Sequence, residues 1–398
     1  MIATKTNEPV SRCEPKLRRR DWVVLPMVGV LTVIMLAVSV ELIAMWMFPQ
    51  LGTGAAAEEC MVFNDPSTGA RGIPHCRVWE KMAESELTQY RFNSSGYRAD
   101  EDFGPKKPDT YRIVMIGTSF ATGMRMPIEK TFAAMLPLEL SRRTGRKVEL
   151  YNEALPYRLP DTIARHFDEV VKVQPDLILW ILNDTDIKSQ SEVKLMPNPD
   201  GKSSFAVRAW HRIQASYAAG SMMDSVRFAF RHTRTATMLN HFLYSSQSQF
   251  VKASLISGEY LAEPSLERKK RLKEFDGSAA SIEAQAADAG IPLVAVLMPD
   301  HAETAMILMD ELPPGIDPNR LDQDVRTIVT SHGATYIDLF PEVREQPDLQ
   351  HGFFPSEGHP NAVGHAIFTG LLARGLTGGV VPALTSNAHS QNGQRHRE

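Results

Sequence analysis

The sequence predicts an α/β protein: a three-layer α/β/α sandwich around a parallel sheet, preceded by one N-terminal transmembrane helix. Two patterns support this class. From residue 112 onward, short apolar runs alternate with amphipathic stretches of about 10–15 residues, which is typical of βαβ units. Near the N-terminus, an uncharged apolar run reaches the ~20 residues that a helix needs to cross a bilayer.

The five predicted strands are short and apolar, and right-handed crossovers between parallel strands place helices on both faces of the sheet. The predicted strands are residues 112–116, 148–151, 177–182, 293–297 and 335–339. The predicted helices are residues 131–143, 161–173, 278–289, 319–331 and 362–376.

The apolar N-terminal run has charged residues of opposite sign on its two sides. Residues 22–40 contain no charge, five basic residues lie between positions 12 and 20, and Glu58 and Glu59 follow. The positive-inside rule then predicts that residues 1–20 are cytoplasmic, residues 21–48 form the anchor, and the rest is periplasmic or extracellular. A cleaved signal peptide with a site near Ala55 is the alternative, although signal h-regions usually have only about 7–15 residues.

The remaining organisation follows from changes in composition. Residues 49–108 form an extracytoplasmic lead-in of mixed polarity, and residues 109–380 form the α/β domain. Residues 187–273 interrupt the alternation and are too long for a plain loop, so we expect a helical insertion. The polar tail, residues 385–398, is expected to be disordered.

Composition and cysteine usage exclude several classes of function. The formal net charge of the 398 residues is −4, which does not favour binding of nucleic acid. Cys60 and Cys76 would lie in an oxidising compartment and are disulfide candidates, with two free thiols as the alternative. The cysteines and histidines match no metal-ligand spacing, so neither a metal nor another cofactor is expected.

Polar residues follow the predicted strands at the points where ligands bind to an open parallel sheet. Ser119 follows the first strand, residues 152–154 the second and residues 183–184 the third, while Glu357 and His359 precede the last helix. A serine after glycine is by itself more often a helix cap than a nucleophile. Together, however, these residues could supply a nucleophile, an oxyanion donor, a base and an orienting acid.

Four short blocks that contain these residues resemble, in their order, those of the SGNH/GDSL hydrolase superfamily. The resemblance covers roughly residues 90–378, without much of the insertion at residues 187–273. RFNSSGYR, residues 91–98, also resembles the lead-in of membrane-anchored members. The blocks in this chain are Gly117-Thr118-Ser119, Asn152-Glu153-Ala154, Ile181-Leu182-Asn183-Asp184 and Glu357-Gly358-His359.

The resemblance implies a flavodoxin-like sheet and a serine-esterase site. Ser119 would be the nucleophile, His359 the base and Glu357 the orienting acid. The oxyanion hole would use the Ser119 and Ala154 backbone N–H groups and the Asn183 side-chain amide. Three further residues would support the site or bind substrate: Thr118, Asn152 and Asp184.

Four positions depart from the family pattern. Thr118 replaces the usual Asp, Ala154 replaces the Gly of the oxyanion block, and Ile181 replaces the Gly of the third block. The common acid position, three residues before the histidine, is Ser356, so we take Glu357 as the acid.

Three functions are compatible with these blocks. The first is an ester hydrolase acting on O-acyl esters, for example on cell-envelope or secreted glycans. The second is an O-acyltransferase that modifies an extracytoplasmic polysaccharide with the same residues. The third is an inactive relative that binds glycans. The expected partners are an acyl ester or glycan substrate, the lipid bilayer and an envelope protein complex.

Overall fold

A computed structural model describes residues 20–47, 56–65, 69–82, 84–187, 233–255, 259–309 and 311–385. The chain divides into two compact units, Met1–Pro49 and Gln50–Glu398, and each is described by itself. The predicted cytoplasmic segment up to residue 19, residues 188–232 of the predicted insertion, and residues 386–398 of the predicted tail lie outside the described residues.

The first unit contains one long apolar helix, α1 (Asp21–Met47). Within it, residues 22–47 have a mean hydropathy of 2.6, and none of its most apolar window is buried. The hydroxyls of Thr32 and Ser39 donate to the backbone carbonyls of Val28 and Met35, so these polar groups are satisfied inside the helix. The helix is therefore long and apolar enough to cross a membrane.

The lead-in folds into two small antiparallel sheets. Strand β1 (Met61–Asp65) pairs with β2 (Gly69–Gly72), and β3 (Arg77–Glu80) pairs with β4 (Thr88–Arg91). A disulfide joins Cys60 to Cys76, with a Cα–Cα distance of 5.6 Å. These strands are not predicted by the sequence, because runs of four or five residues of mixed polarity give no clear period of two.

The main sheet has five parallel strands: β5 (Thr110–Gly117), β6 (Lys147–Asn152), β7 (Leu177–Leu182), β8 (Leu293–Leu297) and β9 (Thr335–Tyr336). Their order in the sheet is β6-β5-β7-β8-β9. Numbered along the chain this order is 2-1-3-4-5, the flavodoxin-like arrangement, so the predicted fold class is confirmed. Every residue of the adjacent strands β5 and β7 is buried, as expected for a sheet covered on both faces.

The second unit contains short and longer helices in its described residues. The short helices are α2 (Ser119–Thr122), α4 (Pro160–Arg165), α5 (Phe167–Lys172), α9 (His301–Ile307) and α11 (Phe340–Val343). The longer helices are α3 (Phe132–Thr144), α6 (Arg234–Tyr244), α7 (Gln247–Leu255), α8 (Leu266–Asp288), α10 (Arg320–His332) and α12 (Ala362–Gly375). Helix α3 packs against α12, while α8 packs against both α4 and α10.

Three predicted elements differ from the structure. Helix α8 begins at Leu266, where the Ser265 side chain caps it, so the end of the predicted insertion belongs to this helix. The helix predicted at residues 161–173 is interrupted at His166. Strand β9 is shorter than predicted, because the Asp338 side chain accepts the Phe340 N–H and turns the chain away from the sheet.

Candidate active site

Gly117 ends strand β5 and sets the position of Ser119. Its φ is +147°, and a Cβ atom there would lie 2.2 Å from the backbone oxygen of Ile181. Only glycine therefore allows β5 to approach β7 so closely at this edge. Two residues later, the half-buried Ser119 begins helix α2 at the carboxyl end of the sheet.

Thr118 connects the nucleophile block to the third block. Its Oγ1 donates to Asp186 Oδ2 (2.9 Å) and accepts from Asn183 Nδ2 (3.2 Å). The same Asp186 oxygen accepts the Asn183 backbone N–H at 3.0 Å. Burial raises the pKa of Asp186 to about 7, although these hydrogen bonds act in the opposite direction. Thr118 replaces the Asp that is usual beside the serine, and the Asp186 side chain supplies a carboxyl group next to Thr118 instead.

The three predicted oxyanion donors differ in whether their N–H groups already donate a hydrogen bond within the protein. The Ala154 N–H donates to Asn152 Oδ1 at 3.0 Å, while Asn152 Nδ2 donates to the carbonyl of Ala121 in α2 at 2.8 Å. Asn183 gives one amide hydrogen to Thr118 and keeps a second. Among the described residues, no acceptor lies within hydrogen-bond distance of the Ser119 N–H. Ser119 and Asn183 therefore retain donors, whereas the Ala154 donor is used inside its own turn.

Glu357 and His359 form a direct pair. His359 Nδ1 lies 2.6 Å from Glu357 Oε2, and the same oxygen accepts the His359 backbone N–H at 3.2 Å. Gly358, with φ of +81°, folds the acid back onto the ring. An ionised carboxylate only accepts hydrogen bonds, so Nδ1 carries a proton, and in the neutral ring Nε2 then presents a lone pair.

The pKa of Glu357 is about 2, below its ordinary value. Burial acts to raise it, but the neighbouring His359 and Arg125 outweigh burial. The acid therefore stays ionised throughout the neutral range.

The His359 ring lies beside the nucleophile block. Its centroid is 5.4 Å from that of Phe120, the residue after Ser119. His359 Nε2 is buried and has no hydrogen-bond partner among the described residues. The structure thus places the predicted base beside the residue that follows the predicted nucleophile. In the described part of the chain, no hydrogen bond joins Ser119 to His359.

A residue that the sequence analysis missed holds the other oxygen of the acid. Arg125 Nε donates to Glu357 Oε1 at 2.8 Å, and Arg125 Nη1 donates to Glu80 Oε1, at the end of β3, at 2.7 Å. The Arg125 backbone, with φ of +68°, donates its N–H to the Tyr90 hydroxyl in β4. No pattern in the sequence linked Arg125 to Glu80, which is 45 residues away.

Glu84 of the lead-in holds the loop that carries the acid. Its carboxylate accepts the backbone N–H groups of Ser356 (3.0 Å) and Glu357 (3.2 Å). Its Oε1 also lies 2.7 Å from Nδ1 of His241 in α6. The lead-in and the helical insertion therefore meet at this loop.

Arg98 of the lead-in supports the opposite side of the site. Its guanidinium donates to the backbone carbonyls of Thr122, Gly123 and Met126, just after helix α2. It also stacks over the Tyr90 ring, 4.2 Å from the centroid. Arg98, the last residue of the RFNSSGYR segment, is thus a buried cation that holds the turn after helix α2 in place.

Asp184, unlike the other predicted site residues, lines a separate cavity. It lines a cavity of about 310 Å³ together with Tyr260, Arg268, Asp300 and Glu303. Burial, followed by the charge of Asp184, raises the pKa of Asp300 to about 6. Within the described parts of the chain, no group of His, Cys, Asp and Glu side chains is arranged to hold a metal ion.

Comparison with known proteins finds similarity only at the level of solved structures. No family model matches the chain, and no curated protein matches it. In architecture and in the order of its blocks, the chain resembles the SGNH/GDSL hydrolases.

The similar structures include the α/β hydrolase enzyme LAE5 from the metagenome of Lake Arreo, at 13% identity and TM-score 0.38, covering 71% of this chain and 99% of that one. The acetyl xylan esterase AlAXEase has 12% identity and TM-score 0.37, with coverages of 66% and 97%. The lipase/acylhydrolase from Enterococcus faecalis has 12% identity and TM-score 0.36, with coverages of 67% and 96%. At these values neither activity nor substrate follows, and the chemistry has to be inferred from the residues of this chain.

Proposed function

We propose that the protein is a serine esterase that cleaves O-acyl esters, with Ser119 as nucleophile, His359 as base and Glu357 as orienting acid. One observation carries this proposal. His359 is fixed by Glu357 through Nδ1, while its Nε2 is unpartnered among the described residues and its ring packs on the residue next to Ser119. A histidine held in this tautomer beside a serine is suited to act as a general base.

In the proposed reaction, a small rearrangement of the Ser119 side chain brings Oγ to His359 Nε2. Such hydrogen bonds are often long in free enzymes and shorten when substrate binds. Nε2 takes the hydroxyl proton as Oγ attacks the ester carbonyl, and Glu357 stabilises the imidazolium. Collapse of the tetrahedral intermediate releases the alcohol, which takes the proton back from Nε2, and water then hydrolyses the acyl-enzyme.

The developing oxyanion would be bound by the Ser119 N–H and the second amide hydrogen of Asn183. One donor of this kind contributes about 2.7–4 kcal/mol in other acyl-transfer enzymes. The Ala154 N–H could join them only after releasing Asn152 Oδ1, because a backbone amide has a single hydrogen. The site is therefore proposed to work with two preformed donors.

For the substrate we propose an O-acylated glycan. A groove of about 160 Å³ lies beside Glu357 and is lined by polar and charged residues together with Met82 and Phe354; its small polar residues are Ser85, Thr237, Asn240 and Ser356. Hydroxyl and amide groups suit the hydroxyls of a sugar better than an alkyl chain. The same groove would suit a glycan that receives the acyl group, which keeps an O-acyltransferase as the second candidate.

For location we propose a single-pass anchor formed by α1, with its N-terminus in the cytoplasm and the second unit outside. The basic residues before α1 support this orientation, and the Cys60–Cys76 disulfide fits an oxidising compartment.

The test of the esterase is Ser119→Ala in the full chain purified in detergent. We expect hydrolysis of p-nitrophenyl acetate to fall to background and covalent labelling by a fluorophosphonate probe to disappear. Ser94→Ala, which changes an exposed serine of the lead-in, is the control and should behave like the wild type. Persistence of labelling in Ser119→Ala would show that another residue is the nucleophile.

Hydrolase and transferase are separated by adding a polysaccharide acceptor to the wild-type protein and an acyl donor. Turnover that does not depend on the acceptor supports the esterase. Turnover that requires the acceptor, with the acyl group recovered on the glycan, supports the transferase. Glycan binding without any labelling of the wild-type protein would indicate the inactive relative.

A further inference from the structure

We propose that Glu80 and Arg125 act as a positioning pair for the acid: Arg125 holds Glu357 against His359, and Glu80 compensates the charge that Arg125 brings. This inference rests on the proposed esterase function. Neither residue touches the reacting atoms, so both act through Glu357.

The contacts form a single line of charges. Glu357 uses Oε2 for His359 and Oε1 for Arg125, so each oxygen has its own partner. Arg125 uses Nε for Glu357 and Nη1 for Glu80. The planar guanidinium fixes the geometry of this bridge, which a flexible ammonium group could not do equally well. The acid therefore cannot rotate away from the histidine without breaking the contact with Arg125.

The charge balance explains why a second carboxylate is present. Arg125 alone would neutralise Glu357 and weaken its attraction for an imidazolium. With Glu80 on its other side, the Glu80–Arg125–Glu357 group carries a net charge of −1, and His359 still faces a negative group. The side chains of Glu80 and Arg125 are only 1% and 10% exposed, so solvent screens these charges weakly.

Other charged or titratable groups surround the line of charges. Burial raises the pKa of the Tyr90 phenol, which donates to Glu80, to about 12, so it stays neutral. Arg98 stacks on that ring. Glu84, on the other side of the acid, is paired with His241 and with two backbone N–H groups. Since each of these groups has its own partner, Glu80 is the carboxylate that balances Arg125.

The test is the pH dependence of kcat/KM for p-nitrophenyl acetate in the full chain, with Glu80→Gln against the wild type. Removing the negative charge makes protonation of the base less favourable. The acid limb of the profile should therefore move to lower pH by about half a unit. The plateau should fall about 3- to 10-fold, because the imidazolium in the transition state is less stabilised.

Glu86→Gln is the matched control. It also removes one negative charge from the lead-in, but Glu86 is an exposed residue paired with Lys130. We expect its acid limb and plateau to coincide with those of the wild type. An equal shift in Glu86→Gln would overturn the proposal, because the effect would then reflect total charge.

A double variant, Glu80→Gln with Arg125→Met, separates charge from positioning. It removes both charges of the pair, so the group facing His359 keeps its net charge of −1 and the acid limb should return to the wild-type position. The plateau should stay low, because Glu357 has lost the guanidinium that orients it. This variant also avoids leaving a buried carboxylate unpaired, which would threaten folding.

Two results would overturn the inference while leaving the esterase intact. One is an acid limb that does not move in Glu80→Gln, whether or not the rate falls. The other is a double variant whose acid limb stays where the single variant put it. Failure of the esterase proposal itself would show instead as labelling of Ser119→Ala.

Discussion

The main sheet and the lead-in are built in opposite ways. Every residue of β5 and β7 is buried, and all except Thr110 and Arg112 are apolar; the core around them is continuous through the α/β domain. The lead-in contributes most of a second, smaller core and relies on a disulfide, on the buried Arg98 and on carboxylates such as Glu80. Its polar groups nevertheless reach the candidate site from two sides, through Arg98 and through Glu80.

The parallel sheet therefore determines where the candidate site lies. The lead-in holds in place the turn after Ser119 and the loop that carries Glu357. Ser119, Asn152 and Asn183 follow strands of the sheet. The carbonyls behind Ser119 and the carboxylate of Glu357 are bonded, directly or through Arg125, by residues of the lead-in. Three substitutions test this division, from the largest expected effect to the smallest.

Gly117→Ala should have the largest effect, because it disturbs the sheet at the point where Ser119 is placed. The new Cβ would meet the Ile181 carbonyl at 2.2 Å, and neither strand can move without breaking the ladder. We expect a loss of about 2–4 kcal/mol in the free energy of unfolding. A shift of Ser119, the proposed nucleophile, by about 1 Å should also slow probe labelling about 100-fold.

Gly145→Ala is the control for Gly117→Ala. Gly145 also has a positive φ, +69°, but a Cβ there would meet no atom within 4 Å. Only the backbone strain of about 1–2 kcal/mol should remain, with normal labelling. Denaturant unfolding and labelling rates measure both variants, and equal behaviour would contradict the role assigned to the contact with Ile181.

Arg98→Met should have an intermediate effect that originates in the lead-in. The variant loses the bonds to the carbonyls of Thr122, Gly123 and Met126 and leaves these acceptors without the buried donor. We expect a loss of about 1–3 kcal/mol in stability together with slower labelling of Ser119. Arg91→Met, on an exposed residue paired with Asp100, should change stability by less than about 0.5 kcal/mol. If the two variants behave alike, the lead-in does not support the site.

Asp186→Asn should have the smallest effect on the position of Ser119, and its effect on stability should depend on pH. The folded-state pKa of Asp186 is raised to about 7 from an ordinary value of 3.8. Its stabilising contribution is thus complete below the ordinary value and is lost as the pH rises through about 7. An amide in its place can still accept from Thr118 and Asn183 without ionising. The variant should therefore gain stability relative to the wild type between pH 5 and pH 8.

Thermal unfolding at several pH values measures this effect. Asp348→Asn, at an exposed position, is the control and should follow the wild type at every pH. A difference between Asp186→Asn and the wild type that stays constant from pH 5 to pH 8 would contradict the protonation of Asp186.

The sequence predicted the sheet well because its strands are short, apolar runs that need no distant partner to be recognised. Residues 177–182 and 293–297 were predicted with the bounds that the structure gives. The pairing of Glu357 with His359 involves residues two positions apart and could be proposed from the resemblance. Arg125, Glu80 and Glu84 could not, because ion pairs between distant residues leave no periodic signal in a single chain.

Asp186 was not predicted as a site residue, although it lies close in sequence to one that was. It is three residues after Asn183 and two after Asp184. A polar residue at the buried end of β5 needs a hydrogen-bond partner, and Thr118 already indicated that one had to be supplied. The need for a partner of the buried Thr118 is therefore the signal in the sequence that points to a nearby acid such as Asp186.

The Arg98 contacts have a consequence for where the functional unit begins. A shortened chain that starts at residue 109 would keep every strand of the parallel sheet and every block of the resemblance. It would lack the cation behind Ser119, the carboxylate that balances Arg125, and the carboxylate that holds the acid loop. The smallest piece expected to retain a complete site therefore starts near residue 56, shortly after the end of helix α1.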